Sequence, residues 1–111
     1  MTSPAQTPEP PYVVVIFTNT RTGGDEAAYG EMAGRMVELA QQQDGFLGID
    51  TVTGADGLTI TNSYWRDHDA VVAWKANVEH LAAQKMGREK WYQTFSLRVA
   101  TVERAYGFER G

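Results

Sequence analysis

The run Tyr12–Thr18, YVVVIFT, restricts the architecture of this chain more than any other stretch. Its residues are β-branched or aromatic with almost no interruption, a composition typical of a strand that buries both of its faces. A strand buried in this way occupies a central position in a sheet. The run therefore predicts a sheet-containing domain that begins near Tyr12.

The four prolines of the chain all lie within its first eleven residues, with Thr, Ser and Gln between them. This composition predicts an extended, mobile tail over residues 1–11. A chain of 111 residues is the usual size of one domain. We therefore expect a single domain over residues 12–108.

Composition and charge exclude several classes of protein. The net charge is −4 and the sequence has no Lys/Arg cluster, which argues against nucleic acid as a partner. The absence of cysteine excludes disulfides and thiolate sites. No apolar run approaches the roughly 18 residues of a membrane span, and the N-terminus does not resemble a signal peptide. A cytoplasmic location without membrane association is the expectation. The two histidines, His68 and His80, show no metal-type spacing, so no metal site is expected.

Hydrophobic periodicity gives the remaining elements. Apolar residues at helical spacing predict one helix over residues 27–43 and a second that starts after the N-cap Asp67. Alternating or β-branched runs predict strands over residues 46–53, 58–65 and 95–108. The order β-α-β-β-α-β predicts an α+β, ferredoxin-like fold, a four-stranded antiparallel sheet with helices on one face. Because apolar residues also point to the other face, we expect a homodimer that packs sheet to sheet.

Four segments resemble the antibiotic biosynthesis monooxygenase family: GFLGID, SYWRDHDAVVAWK, HLAAQKMGREKWY and VERAYGF. The resemblance extends over about residues 12–108 and implies a dimeric α/β barrel. It also implies one of two activities. Some members oxidise phenolic polyketides with dioxygen and need no metal or flavin, whereas related members degrade haem.

The family motifs match this chain incompletely. The quinone-forming members place an Asn four residues before the tryptophan that ends the third strand, here Trp65. Thr61 holds that position, and Asn62 is one place off. In the haem degraders, a histidine nineteen residues after the same tryptophan binds iron. Gln84 stands there in this sequence, so haem degradation is the poorer match.

Trp65 ends a strand whose neighbours on the same face are Thr59, Thr61 and Ser63. A large ring on a face of small hydroxylated residues predicts the wall of a cavity. The alternative is a core tryptophan that packs against the second helix. Trp74 lies in the apolar stripe of that helix, which predicts a core position.

One predicted helix face carries His80, Gln84, Gly87 and Trp91, at spacings of four, seven and eleven residues. A face of this composition could line the mouth of a pocket. His80 would then be the side chain suited to proton transfer near neutrality, because the reference pKa of histidine is about 6.5. A surface or capping histidine is the alternative.

Asn62 and Tyr64 share one face of the third strand and could form hydrogen bonds to a phenolic substrate, with Asn19 as a third candidate. Strand parity sends Asn62 to the face opposite Trp65 unless a bulge intervenes. Structural hydrogen bonding explains these polar residues equally well.

The resulting hypothesis is a cofactor-independent monooxygenase that acts on a small aromatic or phenolic substrate with dioxygen. His80, Asn62 and Trp65 would be the catalytic residues. The substrate-binding residues would be Tyr64, Gln84, Trp91 and Asn19. The alternatives are a non-catalytic dimer that binds small molecules and, third, a haem-binding or haem-degrading protein.

Overall fold

The computed structural model describes residues 3–24, 26–80 and 90–111, without the side chains of residues 78–80. The elements are β1 (Tyr12–Arg21), α1 (Glu26–Gln41), β2 (Phe46–Thr53), β3 (Thr59–Trp65), α2 (His68–His80) and β4 (Tyr92–Val102). The predicted order and the ferredoxin-like arrangement are confirmed. No helix within the described ranges is long and apolar enough to cross a membrane.

β1 lies in the middle of the sheet, whose strand order is β2-β3-β1-β4 with antiparallel pairing throughout. The first four residues of β1, Tyr12 to Val15, are all buried. Because successive side chains of a strand point to opposite faces, this burial shows that both faces of β1 are covered there. The central position predicted from the apolar run is confirmed.

β4 starts three residues earlier than predicted and ends at Val102, well before the predicted end at Phe108. In the β1–β4 ladder, Val102 is opposite Tyr12, the first residue of β1. The residue before Tyr12 is Pro11, which has no backbone N–H to donate to a neighbouring strand. The ladder therefore stops where its partner strand begins.

The hydrophobic core lies between the sheet and the helices. It consists of Val13, Val15, Ala40, Trp65 and Ala70, with further half-buried apolar residues packed against it. We call this side of the sheet the helix-side face and the other side the outer face. Residues that share a strand alternate between the two faces.

The N-terminal segment contacts the outer face. The backbone N–H of Ala5 donates to Asp50 Oδ1 at 2.8 Å, and the hydroxyls of Thr7 and Tyr12 are 2.8 Å apart. A side-chain carbon at Gly48 would come within 3.1 Å of Ala5 Cβ, so the segment passes close to β2. The mobility of residues 1–11 stays a prediction. These contacts give the segment one defined position on the outer face, and movement away from that position can be measured.

The loop that precedes α2 is fixed by polar contacts. Asp67 Oδ1 accepts a hydrogen bond from Ala70 N at 2.9 Å, which confirms Asp67 as the N-cap. This bond, followed by one from Arg66, lowers the pKa of the Asp67 carboxyl. Arg66 also forms a bidentate pair with Asp44 at 3.0 and 3.1 Å.

Two exposed glycines within α1 offer a test of its stability. A side-chain carbon at Gly30 or Gly34 would have nothing within 4 Å. Because glycine is less favourable than alanine in a helix, Gly30→Ala and Gly34→Ala should each raise the free energy of unfolding by about 0.5–1 kcal/mol. Urea titration followed by circular dichroism would measure the change. Gly107→Ala, outside the helices and strands, should leave it nearly unchanged; a loss of stability in either helix variant would contradict the expectation.

Candidate ligand-binding site

A cavity of about 490 Å³ lies between the helix-side face and α1. It is lined by residues of all four strands and both helices, and most of these are apolar or aromatic. Its volume falls within the range usual for sites that bind small organic molecules, roughly 300–1,000 Å³.

One wall of the cavity is a pair of stacked tryptophans. The rings of Trp65 and Trp74 are 5.6 Å apart at an interplanar angle of 26°, and Phe46 contacts Trp65 edge to face at 5.4 Å. Trp65 has no exposed surface, and its Nε1 donates to Ser63 Oγ at 2.9 Å. Trp65 is thus both a core residue and part of the cavity lining. Trp74, predicted as core, also reaches the lining and is only half-buried.

A row of hydroxyl groups lies beside the tryptophans. Thr59, Thr61 and Ser63 all line the cavity, as the parity of β3 predicts. The hydroxyls of Thr61 and Thr51 are 2.8 Å apart, and those of Thr59 and Thr53 are 2.9 Å apart. This row gives an otherwise apolar cavity one polar wall.

The other end of the cavity is aromatic. The Tyr29 ring contacts Trp91 at 5.7 Å and Tyr92 at 5.8 Å, and Tyr92 contacts Phe17 at 5.4 Å. Burial, followed by hydrogen bonding with Tyr29, raises the pKa of the Tyr92 hydroxyl. Tyr92 is therefore a neutral phenol near neutral pH and does not serve as a base there.

Three polar atoms at this end have no hydrogen-bond partner although they are buried: Asn19 Oδ1, Arg21 Nε and Trp91 Nε1. Asn19 is 1% exposed and Trp91 is 4% exposed. Leaving such an atom unpaired costs about 1–3 kcal/mol, and native structures contain few of them. All three belong to residues that line the same end of the cavity.

Arg21 is held by contacts on several sides. Its Nη1 donates to Thr59 Oγ1 at 3.2 Å, and its guanidinium lies 4.5 Å above the Tyr29 ring. Its Nε is 3.5 Å from Glu26 Oε2, an ion-pair distance without the alignment of a hydrogen bond. The charged group is therefore held beside the cavity, and its buried Nε has no hydrogen-bond partner.

The structure brings Asn19, Trp65 and Trp91 of the predicted site together around one cavity. Asn62 and Tyr64 do not join them, because both lie on the outer face. β3 pairs with β1 in unbroken register from Thr59 to Trp65, so no bulge redirects Asn62.

The two outer-face residues have polar surroundings of their own. The Tyr64 hydroxyl donates to Asp50 Oδ2 at 2.9 Å. Burial, followed by this bond, raises the pKa of Tyr64. Asn62 Oδ1 is buried without a hydrogen-bond partner. A single small ligand cannot contact these side chains and Trp65 at once, because the sheet separates them.

The side chains of the other predicted site residues lie outside the part of the chain that the structure describes. His80 is the last described residue of α2, but its side chain is not among the described ones, and Gln84 and Gly87 lie in the gap. Their assigned roles stay predictions. Within the ranges that the structure describes, no group of three His, Asp or Glu residues could hold a metal ion.

The sequence reasoning missed Arg21, Tyr29 and Tyr92 as lining residues. Arg21 shares its strand face with Asn19, but the predicted strand ended at Thr18. Tyr29 lies in α1, where apolar spacing predicts a helix but does not show which side chains reach a cavity. Tyr92 lies next to an irregularity in the β1–β4 register, which simple periodicity does not reveal. Extending the first strand by three residues would have identified Arg21.

The split β-α-β fold with a cavity lined by aromatic side chains defines an α+β domain of the ferredoxin-like class, and comparison with known proteins identifies its family. The model of the family described as antibiotic biosynthesis monooxygenase matches residues 11–86. The chain belongs to this family.

Individual proteins are similar to this chain in sequence or in fold. The chain is 48% identical over 105 residues to the uncharacterized protein YqjZ of Bacillus subtilis, covering 95% of this chain and 91% of that one. Its fold is similar to that of SnoaB, a cofactor-independent oxygenase from Streptomyces nogalater, with a TM-score of 0.72 and 19% identity over 86% of this chain and 97% of that one. PA3566 from Pseudomonas aeruginosa is similar with a TM-score of 0.67 and 21% identity, covering 89% and 99% of the two chains.

Proposed function

We propose that the protein is a cofactor-independent monooxygenase that oxidises a small aromatic or phenolic molecule with dioxygen. The observation that carries the proposal is the cavity of about 490 Å³ that combines a stacked tryptophan wall, a hydroxyl row and unpaired buried polar atoms. This lining fits a planar ring that bears oxygen substituents. Membership of the monooxygenase family and the fold shared with the oxygenase SnoaB support it.

In the proposed reaction, the ring lies against Trp65 and Trp74, which exclude water from it. Asn19 binds a substrate oxygen, the role that the sequence had suggested for Asn62, because Asn19 is the asparagine that lines the cavity. His80 is the predicted base that removes a phenolic proton. The resulting anion reduces dioxygen and supplies all four electrons itself. The substrate loses two hydrogens and gains one oxygen atom, which forms a quinone, and the second oxygen atom leaves as water with those two hydrogens. Holding substrate and dioxygen together accounts for catalysis without a bound cofactor.

The oxygen-consumption experiment uses anthrone-like and catechol-like substrates, a dioxygen electrode and two histidine variants. Wild-type protein should consume dioxygen, and His80→Ala should lower kcat by roughly 10²–10⁴-fold, the usual contribution of a general base. His68→Ala is the matched control, because His68 is exposed and lies outside the cavity lining. No consumption with any substrate, or full activity in His80→Ala, would reject the catalytic assignment.

One observation favours a non-catalytic binding protein as the second candidate. Among the described residues that line the cavity, the ionisable side chains are Arg21, Tyr29 and Tyr92, with neither carboxylate nor imidazole. A lining of this kind can bind a ligand without a base to activate it. Ligand-induced stabilisation without dioxygen consumption would identify this function.

We also propose that the protein is a homodimer. Phe95, Leu97 and Val99 of β4 are 45–55% exposed and lie on the helix-side face, opposite Asn19, Phe17 and Val15 of β1, rather than on the outer face that the sequence suggested for a dimer contact. Tyr106 and Phe108 beyond the strand are 96% and 81% exposed. Burial of these side chains against a second copy would remove a large apolar surface from water. Light scattering coupled to gel filtration should give twice the chain mass of 12.3 kDa; a monomer at micromolar concentration would contradict the proposal.

A further inference from the structure

We propose that the end of the cavity around Arg21 is an anion subsite, which holds the ionised oxygen of an aromatic carboxylate or phenolate. The inference rests on the proposed function in one respect, that the cavity binds a small aromatic molecule. It adds the charge of that molecule and the residues that recognise it.

The three unpaired polar atoms belong to one corner of the fold. Asn19 and Arg21 are two residues apart in β1, so they share one face of the strand, and both line the cavity. Arg21 is opposite Tyr92 in the β1–β4 ladder, and Trp91 is the residue directly before it. The backbone N–H of Thr22 donates to Trp91 O at 2.8 Å, which fixes the chain carrying the indole beside the end of β1.

The electrostatics of this corner favour a negative ligand. Among the described lining residues, Arg21 is the one side chain that carries a charge near neutral pH, because the other ionisable groups there are phenols. Its ion-pair partner Glu26 does not line the cavity and is 54% exposed. Water screens an exposed partner strongly, so Glu26 compensates the guanidinium weakly.

The unpaired atoms also specify the kind of group that fits. Arginine and the indole of tryptophan are donors and cannot accept hydrogen bonds, so Arg21 Nε and Trp91 Nε1 both require an acceptor. An ionised oxygen is the strongest acceptor for such donors. Asn19 can present either its oxygen or its NH₂ group to the same ligand after a rotation of its amide. The apolar remainder of the cavity accommodates the aromatic body.

The test compares matched anionic and neutral ligands by isothermal titration calorimetry at pH 8. One arm uses 2-naphthoate against 2-naphthamide, and the other uses 4-nitrophenolate against 4-nitroanisole. Wild-type protein should bind at least one anion roughly tenfold or more tightly than its neutral counterpart, as expected for a charged hydrogen bond. A preference for 2-naphthoate would indicate that the subsite binds a carboxylate, and a preference for 4-nitrophenolate would indicate that it binds a phenolate.

Single substitutions test whether the preference for an anionic ligand arises at the subsite around Arg21. Arg21→Gln should abolish the preference for the anion, and Trp91→Phe, which keeps an aromatic ring but removes the N–H, should reduce it several-fold. Arg35→Gln is the matched control for charge, since Arg35 is exposed on α1 and does not line the cavity; it should keep the full preference. If Arg21→Gln does not fold, Trp91→Phe alone decides, because unchanged selectivity in that variant rejects the subsite.

The outcomes separate this inference from the proposed function. Equal affinity for anionic and neutral ligands, or a preference that survives Arg21→Gln, would overturn the anion subsite while leaving an aromatic-binding cavity intact. Failure of all four ligands to bind would overturn both proposals.

Discussion

Replacement of Trp65 by alanine is expected to lower the free energy of unfolding by about 3–5 kcal/mol, the usual cost of removing a large buried aromatic side chain. Trp65 has no exposed surface and belongs to the core cluster. The substitution removes the stacking on Trp74, the edge contact with Phe46 and the hydrogen bond to Ser63. Because the total stability of a small domain is only about 5–15 kcal/mol, this loss removes a large share of it.

Urea unfolding followed by far-ultraviolet circular dichroism would measure this effect. Trp65→Phe is the graded control, since it keeps a ring in the core and should cost about 1–2 kcal/mol less than the alanine variant. Trp74→Ala provides a comparison at the half-buried partner of the stack and should also be milder than Trp65→Ala. A Trp65→Ala variant as stable as the wild type would show that Trp65 serves only as a cavity wall.

Replacement of Gly45 by alanine should lower the free energy of unfolding by about 2–4 kcal/mol, through two separate effects. Gly45 has a φ of +89°, a conformation that residues with a side chain rarely adopt. In addition, an added Cβ would lie 2.7 Å from Ala70 Cβ in the first turns of α2. The Gly45 carbonyl accepts the N–H of Arg66 at 2.7 Å, so the backbone is not free to move away.

Gly57 separates the two effects experimentally. It has a φ of +90°, almost that of Gly45, but nothing lies within 4 Å of an added Cβ there. Gly57→Ala should therefore show the conformational cost alone, about 1–2 kcal/mol. Chemical unfolding of both variants under the same conditions gives the steric contribution as their difference. Equal losses in the two variants would show that the contact with Ala70 relaxes without cost.

The dual position of Trp65 connects stability with function. The same ring that completes the core also forms a wall of the cavity. Ligand studies are therefore better made with variants at the other end, where Arg21 and Trp91 line the cavity without belonging to the core cluster. Loss of binding in those variants can be interpreted separately from loss of folding.

Local sequence patterns predicted most of the fold. The strand over residues 46–53 has the predicted bounds, and Asp67 caps α2 as its position before an apolar stripe indicates. These features depend on neighbours in the chain, such as side-chain alternation in a strand or a carboxylate beside free N–H groups. The hydroxyl row of Thr59, Thr61 and Ser63 could be predicted for the same reason, because parity along one strand fixes which side chains share a face.

The composition of the cavity depended on contacts between distant parts of the chain. Strand parity raised the possibility that Asn62 points away from Trp65, but only the unbroken pairing of β3 with β1 excluded a bulge. Arg21 and Trp91 are far apart in sequence and meet because the end of β1 pairs with the start of β4. No local pattern records such a pairing.

The sequence by itself determined the order of the elements, the central position of β1 and the hydroxylated face that ends at Trp65. These follow from hydrophobic periodicity, which reflects burial one element at a time. The tertiary structure decided that Trp65 is fully buried against Trp74, that Asn62 and Tyr64 face outward, and that unpaired donors gather around Arg21. The physical reason is that a hydrogen bond forms only where a donor and an acceptor come close together in space. The register of the sheet decides which side chains from distant parts of the chain come close.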